Sequence, residues 1–216
     1  MPEPLPMHGF VLAGGKSSRM GEDKALLRFC GRPMVEIAVE KLRGFCANVG
    51  IVGNRDDLAE FATVVRETRL DVGPAAGIEA GLLAATQPWV MFMPVDVPLV
   101  PEELLRRWAA TVIGMKGIST SHLYHGRDQA VFCMLRRECR ERLSSALVSG
   151  ERCLEPLLHH ASEGLHWVQN VGELFGENYP TAQTSDRWFL NVNTPQDLLN
   201  AEVWAARGLE GGCRAI

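Results

Sequence analysis

The chain has 216 residues, a length within the range of one large α/β domain, and it shows no boundary signal for a second domain. Apolar residues make up 46% of it and charged residues 22%, the ordinary composition of a globular protein with a buried core. The formal net charge of −4 argues against a nucleic acid as the main partner, because such binding depends on clustered Lys and Arg. We therefore expect a single domain in which any phosphate binding is local.

The cysteines and the N-terminal residues indicate the cellular compartment in which we expect the protein. The six cysteines form no C-x-x-C pair and no matched spacing with histidine that would indicate a zinc site. We interpret them as reduced thiols of a cytoplasmic protein. The N-terminal residues lack the basic region of a secretory signal, and the apolar run 10–13 is far too short to cross a membrane. Secretion and membrane insertion are therefore not expected.

The first half of the chain alternates short apolar runs with helical patterns. Residues 9–12 predict a strand that ends at a glycine turn. Apolar positions in 34–45 recur at helical spacing, and 49–52 is a β-branched run typical of a strand. Further strands are predicted at 63–65 and 89–93, and helices at 56–61, at about 77–85 and after Pro101. Strands that alternate with helices in this way predict a mostly parallel sheet.

The pattern changes in the second half of the chain. Two runs joined by a glycine turn, 118–124 and 129–135, predict a β-hairpin. A last short strand is predicted at 188–191, directly before a C-terminal helix. The helices predicted in this half cover 136–147, 152–160 and about 194–207. We interpret this half as an elaboration that holds a second substrate.

A glycine-rich loop, Leu-Ala-Gly-Gly-Lys-Ser-Ser-Arg-Met-Gly at 12–21, follows the first strand. Its small residues would let backbone N–H groups approach phosphate oxygens, while Lys16 and Arg19 offset the phosphate charge. A Walker A loop is excluded because its first glycine would fall at Phe10, and the spacing of a dinucleotide-binding Gly-x-Gly-x-x-Gly motif is absent. A lone Gly-Gly-Lys is more often an ordinary turn with a solvated basic edge, so this loop alone does not identify a site.

Asp96 and Lys24 are candidates for catalysis. Asp96 follows the continuous apolar strand 89–93, and ligands of open α/β sheets bind beyond such strand ends. A carboxylate there is a natural Mg²⁺ ligand beside phosphate oxygens, although an Asp-x-Pro that caps the next turn explains it equally well. Lys24 is close enough to the glycine loop to face the same ligand, and an ordinary exposed lysine is its alternative.

Two further segments carry candidate residues for binding a metal, a phosphate or a nucleoside. Asn191 and Asn193 close the last predicted strand, where their amides would orient a metal or phosphate, or only cap the following helix. Asp71 and Gly77 flank a turn of small residues. This turn would admit a nucleobase or sugar against bare backbone; otherwise it is only a loop.

Four motifs, taken in order, closely resemble the molybdenum cofactor guanylyltransferase family. They are Leu-Ala-Gly-Gly-x-Ser-x-Arg-Met-Gly-x-Asp-Lys at 12–24, Gly-Pro-x-Ala-Gly at 73–77, Pro-x-Asp-x-Pro at 94–98 and Asn-x-Asn-Thr-Pro at 191–195. The resemblance covers nearly the whole chain. It implies a Rossmann-like nucleotidyltransferase three-layer sandwich, in which a mostly parallel central sheet carries a hairpin elaboration. The nucleotide-binding half would span about 8–112 and the acceptor-binding half about 113–207.

The family's activity implies roles for particular residues. The reaction is transfer of GMP from GTP to molybdopterin, which releases pyrophosphate and forms molybdopterin guanine dinucleotide. By this resemblance Lys24, Asp96 and Arg19 would carry catalysis, with Lys24 on the phosphates and Asp96 on Mg²⁺. Asn191 and Asn193 would lie near the metal. The residues implied to bind the nucleotide are Leu12, Ala13, Gly14, Gly15, Lys24, Asn54, Asp71, Gly77 and Asp96.

The acceptor side is less sharply implied, because the resemblance weakens in the second half. Arg127 and Gln129, beside the predicted hairpin, are expected to help receive the pterin. The expected partners are GTP, molybdopterin and molybdoenzyme maturation proteins, with neither a nucleic acid nor a membrane among them.

Three alternatives remain open at this point. Related molybdopterin cytidylyltransferases usually carry Leu-Ala-Ala-Gly where this chain has Leu-Ala-Gly-Gly, so Gly14 favours guanine. The alternatives are a cytidylyltransferase for molybdopterin, another transferase that uses a nucleoside triphosphate, such as one for sugar phosphates, and a noncatalytic chaperone for the molybdenum cofactor. The presence of both Lys24 and Asp96 argues against the chaperone.

Overall fold

The structure, a computed structural model, describes residues 3–14, 23–69 and 72–207. Its strands are β1 (Leu5–Leu12), β2 (Arg28–Phe29), β3 (Arg32–Pro33), β4 (Cys46–Val52), β5 (Thr63–Val65), β6 (Trp89–Pro94), β7 (Thr120–Tyr124), β8 (Asp128–Arg136) and β9 (His166–Asn170). Its α-helices are α1 (Met34–Arg43), α2 (Pro74–Ala84), α3 (Glu102–Gly114), α4 (Arg140–Val148), α5 (Leu154–Ser162), α6 (Ala182–Trp188) and α7 (Pro195–Ala206). Short 3-10 helices cover Asp56–Glu60, Arg137–Cys139, Val171–Leu174 and Gly176–Asn178.

Seven of these strands form the central sheet, in the order β5-β4-β1-β6-β8-β7-β9. β8 is antiparallel to its neighbours β6 and β7, and the other pairs of the sheet are parallel. β7 and β8 are the two strands of the predicted hairpin. The prediction of a mostly parallel sheet with a hairpin elaboration is therefore confirmed.

Helices cover both faces of this sheet. Successive side chains of a buried strand point to opposite faces, and in β1 Phe10 and Val11 belong to two different core clusters. The cluster around Val11 includes Leu42 of α1 and Trp108 of α3. The cluster around Phe10 includes apolar side chains of α2, α4 and α5. The predicted three-layer sandwich is confirmed by this arrangement.

The strand order creates a crevice at the carboxyl ends of the central strands β1 and β6. The chain passes from β1 through α1 to β4 and then to β5, and returns through α2 to β6 on the other side of β1. The order of strands thus reverses between β1 and β6, whose ends meet where Leu12 aligns with Pro94. Open α/β sheets bind their ligands at such a reversal, outside the carboxyl ends of the strands.

Two predictions about strands were wrong. The run 188–191 forms no strand, because Trp188 ends α6 and the following residues continue without regular structure. This run is apolar because Trp188 and Phe189 are buried in the core, with their rings 5.6 Å from Phe175 and 5.5 Å from Phe132 respectively. β9, at the edge of the sheet, was not predicted, since three of its five side chains are exposed and it lacks a clear alternation.

One helix begins earlier than predicted. The structure starts α2 at Pro74 rather than near Gly77, since proline suits the first turn of a helix. None of the helices in the described part of the chain is both long and apolar enough to cross a bilayer.

Candidate active site

A cleft of about 830 Å³ opens at the carboxyl edge of the sheet, over the ends of β1, β4 and β6 and the beginning of β8. It therefore lies at the reversal of strand order between β1 and β6. Residues from both halves of the chain line it. Those that the sequence nominated are Leu12, Ala13, Gly14, Lys24, Asn54, Asp96, Gln129 and Asn191.

The end of β1 is held close to its neighbours by backbone hydrogen bonds. Ala13 donates its N–H to the Val52 carbonyl at 2.9 Å, and Val95 donates to the Leu12 carbonyl at 3.2 Å. A Cβ on Gly53 would lie 3.2 Å from the Ala13 backbone, so glycine allows the ends of β4 and β1 to approach. The exposed backbone at Gly14 follows directly, in position to meet a ligand in the cleft.

Lys24 and Asp96 meet in this cleft although they are 72 positions apart in the chain. The Lys24 Nζ lies 3.1 Å from Asp96 Oδ2 and also donates to the side-chain oxygen of Asn193. Both partners of the ion pair are partly accessible, with 26% of the Lys24 side chain and 18% of the Asp96 side chain exposed. Three elements therefore converge on one point, namely the turn around Lys24, the end of β6 and the segment before α7.

Local structure fixes the position of Lys24. The preceding Asp23 accepts a hydrogen bond from the Ala25 N–H at 2.8 Å, which closes a tight turn around the lysine. Asp23 also forms an ion pair with Arg55, which follows β4. The ion pair between Asp23 and Arg55 thus connects the turn that carries Lys24 to the end of β4.

The segment that carries Asn191 and Asn193 is held in two ways. Val192 donates its N–H to the Asp96 carbonyl at 2.8 Å, so this segment runs beside the end of β6. Asp197 accepts from the N–H groups of Asn193 and Thr194 at 3.0 and 2.8 Å, which completes a capping box at the start of α7. Burial opposes ionisation of Asp197, but these hydrogen bonds outweigh it and lower the pKa of its carboxyl.

A buried lysine fixes the loop on which Asp96 lies. The Lys41 Nζ on α1 donates to the Pro98 carbonyl at 2.5 Å, two residues beyond Asp96. Burial lowers the pKa of Lys41 to about 7, although the nearby Glu102 opposes this shift. An ammonium buried in the core costs solvation free energy, so the contact restrains the loop at an energetic cost.

The group of oxygen ligands around Asp96 suits a divalent cation. The oxygens of Asp96 and Asn193 converge on the Lys24 ammonium, which occupies the place of a positive charge there. One carboxylate and amide oxygens are hard ligands, and Mg²⁺ commonly takes one or two carboxylates together with phosphate oxygens and waters. In the described ranges no group of three or more His, Cys, Asp or Glu side chains could hold a metal. The donor set fits an ion shared with a bound phosphate chain better than a closed protein cage.

Glu67, after β5, is a cleft residue that the sequence analysis missed. A Cβ on Gly14 would lie 2.5 Å from its Oε1, and one on Gly77 would lie 3.2 Å from the same atom. The carboxylate therefore lies directly against the backbone that follows β1. Burial raises the pKa of Glu67. Sequence spacing gave no signal for this contact, because Gly14 lies 53 positions before Glu67 in the chain.

Some predicted site residues are placed elsewhere or lie outside the described residues. Gly77 is buried within α2, where a Cβ would lie 3.0 Å from the Leu12 side chain, and it does not line the cleft. This glycine allows α2 to pack closely on β1. Arg127 is exposed on the turn between β7 and β8, outside the cleft lining, whereas its neighbour Gln129 lines the cleft. The nominated Gly15, Arg19 and Asp71 lie outside the described residues.

The fold and this cleft together define the class of protein as a nucleotidyltransferase. Its features are an open α/β sheet, an exposed glycine backbone after the first strand, and a lysine paired with an aspartate at the reversal of strand order. The family model described as a MobA-like NTP transferase domain matches residues 9–165. The chain belongs to this family, and the predictions of family and enzyme class are confirmed.

Proteins similar to this chain agree with the assignment. The molybdenum cofactor guanylyltransferase of Vibrio vulnificus is 30% identical over 202 residues, which cover 92% of this chain and 96% of the relative. A probable molybdenum cofactor guanylyltransferase of Chloroflexus aggregans is 32% identical over 206 residues, with coverage of 92% and 94%. The crystal structure of molybdopterin-guanine dinucleotide biosynthesis protein A from Archaeoglobus fulgidus matches with a TM-score of 0.72. That match covers 93% of this chain and 99% of the other at 22% identity, and it supports the fold.

Proposed function

We propose that the protein transfers GMP from GTP to molybdopterin, with release of pyrophosphate and formation of molybdopterin guanine dinucleotide. The observation that carries this proposal is the meeting of Lys24 and Asp96, 3.1 Å apart, in the cleft that contains the glycine backbone after β1. The relatives named as guanylyltransferases support the choice of nucleotide and acceptor.

Nucleotidyl transfer needs alignment and charge neutralisation more than a protein nucleophile. Asp96, with the amide oxygens of Asn191 and Asn193, would hold a Mg²⁺ ion, whose chemistry is to offset the charge of the triphosphate. Lys24 then donates its N–H groups to oxygens of the α-phosphate. An oxygen of the acceptor phosphate forms the new bond to the α-phosphorus, while the bond to pyrophosphate breaks and its electron pair leaves with pyrophosphate.

The chemistry of Glu67 favours guanine over cytosine. Guanine carries two adjacent donors, a ring N–H and an amino group, which one carboxylate accepts together. The corresponding edge of cytosine places acceptors beside its single amino group, and a carboxylate repels acceptors. Because Gly14 carries no side chain against Glu67, a base can approach both the carboxylate and the backbone at this point.

The cleft is large enough for two substrates. Its volume of about 830 Å³ lies toward the upper end of the range for small-molecule sites. Gln129 and neighbouring residues of β8 line the side opposite the end of β4, where the acceptor would bind. Gln129 has an amide that donates and accepts hydrogen bonds, which suits a polar heterocycle.

The direct test measures which triphosphate is consumed when molybdopterin is supplied with Mg²⁺. We expect pyrophosphate release from GTP that requires both molybdopterin and Mg²⁺, together with a guanine dinucleotide product identified by mass. The variant Lys24→Ala is the matched control for contaminating activities. Consumption of CTP in place of GTP would identify a cytidylyltransferase. Tight binding of the finished cofactor without turnover would identify a chaperone.

A further inference from the structure

A line of hydrogen bonds runs from the cleft into the protein interior beside β7. Asp128, the first residue of β8, lines the cleft, and its Oδ1 lies 2.8 Å from Nε2 of His122. The His122 Nδ1 lies 2.9 Å from Nε2 of His166 on β9, and the His166 Nδ1 lies 2.6 Å from Thr120 Oγ1. Thr120 and His122 are fully buried, whereas 45% of the Asp128 side chain is exposed. Asp128 is therefore the accessible end of a row of hydrogen-bonded side chains whose other end is buried.

Hydrogen bonds hold the two histidines of this network in place. Burial lowers the pKa of His166 to about 3, so its ring is neutral and carries a single N–H. The Thr120 hydroxyl donates to the Leu158 carbonyl of α5 at 3.2 Å and lies 2.6 Å from His166 Nδ1, so it connects this histidine to the helix. At the cleft end His122 donates from Nε2 to Asp128 Oδ1, since a carboxylate only accepts. His122, itself held by His166, therefore fixes the orientation of Asp128 beside the cleft.

Asp128 differs from the other aspartates of the cleft. Asp96 is paired with Lys24, and Asp23 is paired with Arg55. In the part of the chain that the structure describes, Asp128 has His122 as its hydrogen-bonding partner and forms no ion pair with Lys or Arg. A carboxylate has about four acceptor positions, so most of this capacity remains for a ligand. An anionic carboxylate repels phosphate, and its complement in a ligand is a group of N–H donors.

We propose that Asp128 recognises the acceptor by accepting hydrogen bonds from two adjacent N–H donors of a 2-amino-4-oxopyrimidine ring, and that His122 is its positioning residue. This inference rests on the proposed function, because the pterin of molybdopterin contains such a ring. The amino group and the neighbouring ring N–H face the same side and match the two oxygens of one carboxylate. Asp128 lies next to Gln129, on the side of the cleft where the acceptor would bind.

The substitution Asp128→Asn tests recognition of the ring while it keeps the hydrogen bond to His122. The amide oxygen of asparagine still accepts the hydrogen bond from His122, but its NH₂ group faces the donors of the ring. We expect the KM for molybdopterin to rise by about tenfold or more, because two hydrogen bonds to a charged group are lost. The KM for GTP and the midpoint of thermal unfolding should remain those of the wild type.

A binding experiment tests the same residue without turnover. The probes are pterin and lumazine, two fluorescent rings that differ because lumazine has an oxo group in place of the 2-amino group. In the presence of GTP and Mg²⁺, the wild type should bind pterin more tightly than lumazine. Asp128→Asn should lose this preference, and His122→Gln should weaken it while leaving GTP binding unchanged.

The two proposals fail in different ways. Equal binding of the two rings to the wild type, binding of neither ring, or an unchanged preference in Asp128→Asn would overturn the role of Asp128. The proposed function fails separately, if a wild type that prefers pterin consumes no GTP when molybdopterin and Mg²⁺ are supplied. A drop in kcat for Asp128→Asn with an unchanged KM for molybdopterin would also contradict recognition, since it would place the residue in the chemical step.

Discussion

The substitution Lys41→Met should change how the stability of the protein depends on pH. Lys41 is buried beneath the loop that carries Asp96, and its pKa is about 7 in the folded protein, against about 10.4 for an unfolded lysine. Below about pH 7 both states hold the proton, so this residue contributes no pH dependence. Above about pH 7 the folded state releases the proton while the unfolded state retains it, and the free energy of unfolding therefore rises with pH.

The magnitude follows from the linkage between protons and folding. Each pH unit within this window contributes about 1.4 kcal/mol, so the free energy of unfolding should rise by roughly 2 kcal/mol between pH 7 and pH 8.5 through Lys41 alone. Thiols of the unfolded chain ionise near the upper limit and contribute with the opposite sign, because burial raises the pKa of Cys46 and Cys133; comparison of the wild type with Lys41→Met cancels this contribution.

The assay is urea unfolding of the wild type and Lys41→Met at several pH values in this window. Methionine retains most of the apolar stem and removes the titrating group. We expect a rising free energy of unfolding in the wild type and a flatter profile in the variant. Parallel profiles would refute the reasoning, since they would mean that Lys41 keeps its proton when folded.

Four further substitutions test the site. Asp96→Ala should fold normally but lose Mg²⁺-dependent turnover, and unchanged turnover would remove Asp96 from the mechanism. Lys24→Ala should lower kcat by about 100-fold or more, because its charge matters most in the transition state; a raised KM for GTP with normal kcat would contradict this. Glu67→Gln should raise the KM for GTP by roughly tenfold without impairing use of CTP, and equal effects on both nucleotides would exclude base recognition. Gly77→Val should cost about 1–3 kcal/mol of stability by crowding Leu12, measured by urea unfolding; loss of GTP binding in a variant of normal stability would show a direct role in the site.

The sequence predicted the sheet from local patterns, and it nominated Lys24 by its place near the glycine loop and Asp96 by its place at a strand end. A continuous apolar run marks a buried strand, and the ends of parallel strands must share one edge of the sheet. The strand at 188–191 was predicted wrongly for a related reason, since an apolar run shows that side chains are buried and does not show whether the backbone is paired.

Other features depend on tertiary packing and left no local pattern. Glu67 is a polar residue in a loop, and only the fold brings it against Gly14. Gly77 was nominated for the nucleotide because it lies in a motif, yet a glycine can equally allow a helix to approach a strand, as the structure shows here. The chain from Asp128 to Thr120 joins three strands, so neither its members nor their order follow from sequence spacing.

The hydrogen bond from the Val192 N–H to the Asp96 carbonyl has a consequence for the order in which the site assembles during folding. The amide oxygen that meets Lys24 comes from Asn193, which is 97 positions after Asp96 in the sequence. The pairing of β1 with β4 and β6 does not involve this segment. The contact between Lys24 and Asn193 therefore forms by nonlocal docking of the segment before α7, a step that is slower than pairing of local elements.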